Sequence, residues 1–307
     1  MTKVLVHKIN TLTGHKDCIY TVEKSGEDHI FFSGAGDGFV VAWDLNQPEN
    51  GQVVAQVPSS VYALHYAKQE NALIIGQNFF GLNVIDLHNN KQKNMVRFTS
   101  VAIFDVKSHQ KKIFTATGDG AITVLNIEDL KIIHQIKAST KSARSIAVNP
   151  EKQEMAVGFS DHVIRIYDIN NFQLKKEIRE HKNSVFSIVY SPDGRYLLST
   201  GRDANLKFWS VDEEYEKAES IVAHIYAINH IDYRSDGKYF VTGSMDKSIK
   251  VWDASNFRLL KVIDKARHEG HNSSVNKLFW SGHQDQLVSC SDDRTISVWD
   301  LKFKDEL

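Results

Sequence analysis

The sequence predicts an all-β protein folded as a seven-bladed β-propeller, and three observations predict it. A strand-ending pair recurs as Trp43-Asp44, Tyr167-Asp168, Trp252-Asp253 and Trp299-Asp300, with Ile85-Asp86, Leu125-Asn126 and Trp209-Ser210 in equivalent places. The first members lie 42, 40, 42, 42, 43 and 47 residues apart, so seven units nearly fill the 307 residues and the chain reads as one domain, 1–307. Runs such as 295–299 and 248–252 alternate polar with apolar residues, the period of a strand with one face in a core. Turn sequences such as Ser191-Pro192-Asp193-Gly194 and Ser235-Asp236-Gly237 separate such strands, and no stretch sustains a helical period. Four short strands per unit, seven times over, describe sheets packed face to face around an axis.

Taken in chain order, the segment 5–12 precedes the first unit and matches the outer strand that elsewhere follows the strand-ending pair, as in 173–179 or 259–264. The chain stops soon after Trp299-Asp300, before such a strand could form again. The opening strand is therefore expected to complete the last blade beside Ser297, leaving no free edge. Unit 1 carries His15, Ser33, Asp37 and Trp43. Unit 5 repeats the spacing with His181, Ser199, Asp203 and Trp209, unit 6 with His224, Thr242, Asp246 and Trp252, and unit 7 with His271, Ser289, Asp293 and Trp299. In all four, the His stands 28, the hydroxyl 10 and the Asp 6 residues before the Trp. Unit 2 departs with Val57, Phe79 and Ile85, unit 3 with Arg97 and Leu125 beside Thr115 and Asp119, and unit 4 with Ser139 beside Asp161 and Tyr167. Strand alternation persists in 121–125 and 163–167, so units 2 to 4 read as blades of a more weakly pinned half-ring.

On these residues the chain resembles, over its whole length, the Trp-Asp repeat (WD-repeat) β-propellers. The resemblance implies that Trp, hydroxyl, His and Asp form a hydrogen-bonded tetrad inside each blade that has them, with a structural role. A Ser-His-Asp nucleophilic triad uses the same residue types, but one active site needs it once, not in four blades; no residue is assigned as catalytic. The resemblance also implies a partner-binding face, reached by side chains three and five positions after the tetrad His and one before the tetrad Asp. Those positions hold Cys18, Tyr20 and Gly36 in blade 1, then Ser60, Tyr62 and Asn78 in blade 2. Blade 3 supplies Ser100, Ala102 and Gly118, and blade 4 Ser142, Arg144 and Ser160. Blade 5 supplies Ser184, Phe186 and Arg202, blade 6 Ala227, Asn229 and Met245, and blade 7 Ser274, Asn276 and Asp292. Two groups have the residue types of binding hot spots. Tyr20 and Tyr62 form one with Phe79; Arg144, Phe186 and Arg202 form the other, suited to a peptide with an acidic and an apolar residue.

Lys+Arg 37 against Asp+Glu 38 leaves a formal net charge of −1, which supplies no general attraction for nucleic acid or anionic lipid. Two cysteines, Cys18 and Cys290, make no disulfide framework and read as free thiols of a reducing compartment. The apolar run 4–6 is too short for a signal peptide, and no segment is long enough to span a membrane. Lys304-Asp305-Glu306-Leu307 spells an endoplasmic-reticulum retention address, which reads as coincidental without an entry signal; a cytoplasmic location is expected. His268-Glu269-Gly270-His271 falls one residue short of the His-Glu-x-x-His zinc arrangement, and no Gly-rich phosphate loop is present, so neither metal nor cofactor is assigned. Inner-strand candidates such as 187–190 and 231–233 offer isolated polar groups. The function expected is a non-enzymatic interaction scaffold: a monomeric propeller that serves as a subunit of a larger complex and binds proteins or peptides. The alternative is a propeller enzyme, or a small-molecule or metal binder, using the central channel.

Overall fold

Seven antiparallel four-stranded sheets form the molecule in a computed structural model that describes residues 2–89 and 91–305. Blade 1 contains strands Ile19–Lys24, Ile30–Ala35, Phe39–Asp44 and Gln52–Gln56, numbered outward from the channel, and blades 2 to 6 repeat this order. In blade 7, Val275–Trp280, Leu287–Ser291 and Ile296–Asp305 are completed by the opening strand Thr2–Leu12. That strand pairs from Thr2 opposite Asp305 to Leu12 opposite Ile296, with Thr11 opposite Ser297 and one irregularity between Lys8 and Asn10. The closing pair is longer than the sequence suggests, because the third strand of blade 7 runs on past Asp300 to Asp305. Lys304 and Asp305 belong to it, whereas Glu306 and Leu307 of the retention-like ending lie outside the described residues.

The alternation read from the sequence has a different physical meaning in the folded ring. Second strands are buried on both faces, as in Ala72–Gln77, where every residue is buried, because each sheet is sandwiched between two others. Alternation therefore separates large apolar side chains from small hydroxyls, not core from solvent: Ser33, Ser199, Thr242, Ser289 and Ser297 are all fully buried. The outer strands are the most exposed, as in Ile132–Lys137. The extra residues before blade 7 form a single helical turn, Lys265–His268, started by Asp264, whose side chain accepts from the Arg267 N–H.

Polar ties lace neighbouring blades at the axis, where no backbone ladder joins the inner strands. Asp105 accepts from the Ile146 N–H at 2.8 Å, Ser145 from Ile188 at 3.1 Å, Ser187 from Ile231 at 3.2 Å and Asp232 from Trp280 at 2.8 Å. Glu23 accepts from Tyr66 at 3.4 Å, and Ser108 lies 2.9 Å from His65 Nε2. Between blades 7 and 1, the Asn276 side chain donates to the Ile19 carbonyl at 2.9 Å.

Blades 2 to 4 are not left open where the repeated polar residues are missing. In blade 2, Val57, Ile75 and Ile85 pack in one apolar cluster with Leu64 and Leu73. In blade 4, Asp161 accepts from Ser139 and from Arg165, both at 2.8 Å, and Arg165 also reaches Glu177 at 3.0 Å. Blade 2 thus fills the tetrad places with apolar packing, and blade 4 fills them with an ion-paired cluster of its own.

Candidate functional site

The recurring Ser, His, Asp and Trp side chains meet inside their own blades. In blade 5, Trp209 Nε1 donates to Ser199 Oγ at 2.8 Å, Ser199 Oγ lies 2.7 Å from His181 Nε2, and His181 Nδ1 lies 2.9 Å from Asp203. Blades 1, 6 and 7 repeat the chain, with Trp–hydroxyl distances of 2.8, 3.0 and 2.9 Å and hydroxyl–His distances of 2.8, 2.8 and 2.9 Å. The hydroxyl accepts from the indole, so its own proton goes to Nε2, leaving Nδ1–H to donate to the carboxylate. Asp203 also accepts from the backbone of Lys182 and Asn205, which pins the turn. Burial opposes its charge, but the His181 hydrogen bond and those N–H groups prevail and bring its pKa down to about 2. The hydroxyls are fully buried and committed on both sides, so none can meet a substrate. Both ring nitrogens of His271 are likewise occupied, by Ser289 and Asp293.

Burial lowers His15 and His224 below their ordinary value, although Asp37 and Asp246 pull the other way. These rings are neutral when folded, whereas the unfolded chain takes up protons below about pH 6.5. Their contribution is therefore complete above that pH and is lost as pH falls through the lower folded values. Asp232 acts in the opposite sense, since burial raises it to about 6. The melting temperature should fall between pH 7 and 5, and His224→Asn should flatten the slope. A melting temperature that climbs steadily on acidification would contradict neutral His15 and His224.

Every inner strand carries a β-bulge at the same place, between Ile19 and Thr21 in blade 1 and between Val275 and Lys277 in blade 7. The residue left out of the ladder is Tyr20, Tyr62, Phe104, Arg144 or Phe186 in blades 1 to 5, and Asn229 or Asn276 in blades 6 and 7. A bulge re-aims a side chain out of the pleat, and these seven residues line a channel cavity of about 690 Å³. Five of them form a continuous arc. Tyr20 and Tyr62 have ring centroids 4.8 Å apart, Tyr62 and Phe104 5.8 Å, and the Arg144 guanidinium lies 3.8 Å from the Phe104 centroid and 4.9 Å from that of Phe186.

This geometry corrects two sequence expectations. The backbone bond from the residue before the tetrad Asp to the inner-strand loop runs from Gly36 to Cys18 and from Asn78 to Ser60, but from Gly118 to Ala102. Blade 3 therefore aligns Ala102 and Phe104, not Ser100 and Ala102, with the positions of Cys18 and Tyr20. The same shift puts Thr99, not Arg97, at the His position. Its first hairpin is two residues shorter, turning through Gln110 and Lys111 at positive φ between His109 and Lys112. The two expected hot-spot groups are also one, joined by Phe104. Arg202 is exposed, and its side chain has no hydrogen bond, ion pair or ring contact among the described residues, so it does not join Arg144. Phe79 sits 50% exposed on its turn at positive φ, beside half-buried Asn78. Asp292 accepts from the Asn276 side chain at 2.7 Å. Met245 is 51% exposed, and its N–H bonds to Ala227, next to the exposed Ile225 (80%) and Tyr226 (62%). The sequence reading missed that apolar pair, although both residues follow the tetrad His directly.

Below the mouth the channel is charged, beyond the isolated polar groups expected. Lys277 lies 3.6 Å from Glu23, His65 3.7 Å from Glu23, and Lys107 3.5 Å from Asp105. Burial opposes the charge of Lys107, yet Asp105, Glu23 and Asp232, on blades 3, 1 and 6, raise its pKa, so its field spans the axis. His230 is held neutral by burial and by the two lysines, and its Nδ1 is buried without a partner. Among the described residues, no three His, Cys, Asp or Glu side chains form a metal cluster, and no helix is long and apolar enough to cross a membrane.

Comparison with known proteins adds two family matches and several distant relatives. The family described as WD domain, G-beta repeat, matches residues 7–44, and the one described as Cytochrome D1 heme domain matches residues 152–307. The chain is 24% identical to Protein groucho of Drosophila melanogaster over 62% of its own length and 27% of the relative's. It is 23% identical to the 66 kDa stress protein of Physarum polycephalum over 95% and 48%, and 24% identical to a Striatin homolog of Dictyostelium discoideum over 60% and 22%. It thus spans less than half of each of these relatives. The channel does not fit a haem: the macrocycle needs a wide apolar slot and a free axial ligand. His65 and His230 each have a buried Nδ1 without a hydrogen-bond partner, but the cavity between the blades is lined by Lys107, Lys277, Glu23 and Asp232 and is not an apolar slot.

Proposed function

We propose, from the premise that this chain belongs to the WD-repeat β-propeller family, that it is a non-enzymatic scaffold binding proteins or peptides across the channel mouth. The observation that carries this reading is the arc of five aromatic and Arg side chains aimed by bulges into one cavity, while every nucleophile-type tetrad hydroxyl is sealed. Aromatic and Arg groups supply most binding energy at protein interfaces because they bury much area at little entropic cost. Met245, Ile225 and Tyr226 extend the surface over blade 6. The propeller acts as a monomeric subunit of a larger complex. Its free thiols, half-buried Cys18 and buried Cys290, suit a reducing cytoplasm.

Selection of a random peptide library on the full chain should yield binders that weaken at least tenfold in a Tyr20→Ala/Tyr62→Ala double variant with parental folding. Undiminished affinity for that variant would remove the mouth from consideration. The second reading, a small molecule held in the channel, draws on the partnerless His230 Nδ1. A retained mass in native mass spectrometry of the purified chain would favour it.

A further inference from the structure

Arg144 is the one mouth residue with a formal charge, and its charge is uncompensated. Its guanidinium sits between the rings of Phe104 and Phe186, at 3.8 and 4.9 Å from their centroids. Its Nε is buried with no hydrogen-bond partner, and no carboxylate pairs with it among the described residues. Burial alone brings its pKa down to about 10, because the field of Tyr62 only partly offsets the loss of water. Its charged neighbours in the channel are balanced: Lys107 by Asp105 and Lys277 by Glu23. The folded chain has therefore taken the guanidinium Nε out of water without giving it an anion. The two rings and the bulge place it at the mouth.

We propose that the channel mouth is a carboxylate-reading pocket in which Arg144, clamped by Phe104 and Phe186, receives an Asp or Glu side chain of a bound peptide. This rests on the reading of the mouth as a peptide-binding surface. A planar guanidinium presents forked N–H donors that match a carboxylate in geometry and in its single charge. A phosphate dianion fits less well, since a single guanidinium faces it at the mouth and the lysines below are already paired, Lys107 with Asp105 and Lys277 with Glu23. The adjoining Tyr20–Tyr62 pair is placed to receive an apolar residue next to the acid.

The test follows the Arg144 Nε–H by NMR in the full chain, the resonance being assigned by its loss in Arg144→Lys. Acetyl-Phe-Glu-amide should shift it saturably, acetyl-Phe-Gln-amide at least tenfold more weakly, and inorganic phosphate less than the Glu probe. In Arg144→Lys, which keeps the charge but not the fork, binding of the Glu probe should weaken at least tenfold, with thermal unfolding showing that the variant folds. A response to phosphate alone, equal responses to the Glu and Gln probes, or no response would each overturn the carboxylate pocket. Library binders that need Tyr20 and Tyr62 but ignore Arg144→Lys would overturn it while leaving the scaffold reading intact. A Glu-specific shift without library binders would do the reverse.

Discussion

Removal of residues 2–13 is expected to lower the melting temperature by at least about 10 °C. The deletion withdraws the whole outer strand of blade 7, from Thr2 opposite Asp305 to Leu12 opposite Ile296. It also removes Val4 and Leu12, both buried, from two different apolar clusters and uncovers Trp299 and Leu301. Burial of an aliphatic side chain contributes about 1.5–3 kcal/mol, so these two side chains alone approach the roughly 5–15 kcal/mol by which whole domains are stable. A circular permutant separates loss of the strand from loss of these residues' position in the chain. Because Thr2 faces Asp305, replacing Glu306-Leu307 by Asn-Gly and continuing into residues 2–12 makes an ordinary two-residue hairpin. Calorimetry should return that permutant, with its new start at Gly14, to within a few degrees of the parent chain, by the same scaling. A truncated chain that melts with the parent would show that the ring does not depend on this closure.

Trp209→Ala should be the most damaging single substitution among the tetrads. Trp209 is fully buried and packs in the cluster of blades 4 and 5 with Val185, Ile188 and Leu197. Truncating such a side chain costs about 3–5 kcal/mol, and it leaves Ser199 with one partner fewer. Trp209→Phe keeps most of the aromatic contact but loses the N–H and leaves a small void, so its cost of about 1–3 kcal/mol is an upper bound on the hydrogen bond. Urea unfolding of both variants, beside Ile85→Ala in the apolar blade 2, measures the difference. If Trp209→Phe unfolds at the parental midpoint, the indole–hydroxyl bond contributes nothing and the tetrad is only a packing motif.

The blade number, the tetrad partners and the strand that closes the ring were all legible in the sequence. Each is a matter of residue spacing along the chain, and four-stranded units of near-constant length convert spacing directly into position. The assignment of His15 to Ser33, Asp37 and Trp43 needed no knowledge of neighbouring blades. Blade 3 shows where this breaks down. Counting back from Leu125 misplaces Arg97 and Ser100 because a hairpin shortened by two residues slips the register upstream of it, a change that the 40-residue interval from Ile85 to Leu125 signals but only the bond from Gly118 to Ala102 locates.

The family resemblance places six of the seven mouth residues on the partner face; the tertiary structure alone decides that four of them converge, with Phe104, into one arc. Strand alternation cannot say where Tyr62, Phe104 or Arg144 points, since each is the bulge residue that the ladder skips, and its direction is set by the ring around the axis. Nor can it distinguish a hydroxyl in water from one sealed between sheets, as Ser289 is, because burial on both faces exists only once neighbouring blades have packed. The charges of the channel follow the same logic: Glu23 and Lys277 stand 254 positions apart in the chain and meet at 3.6 Å only because blade 7 closes against blade 1. Local spacing specifies a blade, and the convergence of seven blades specifies what lies between them.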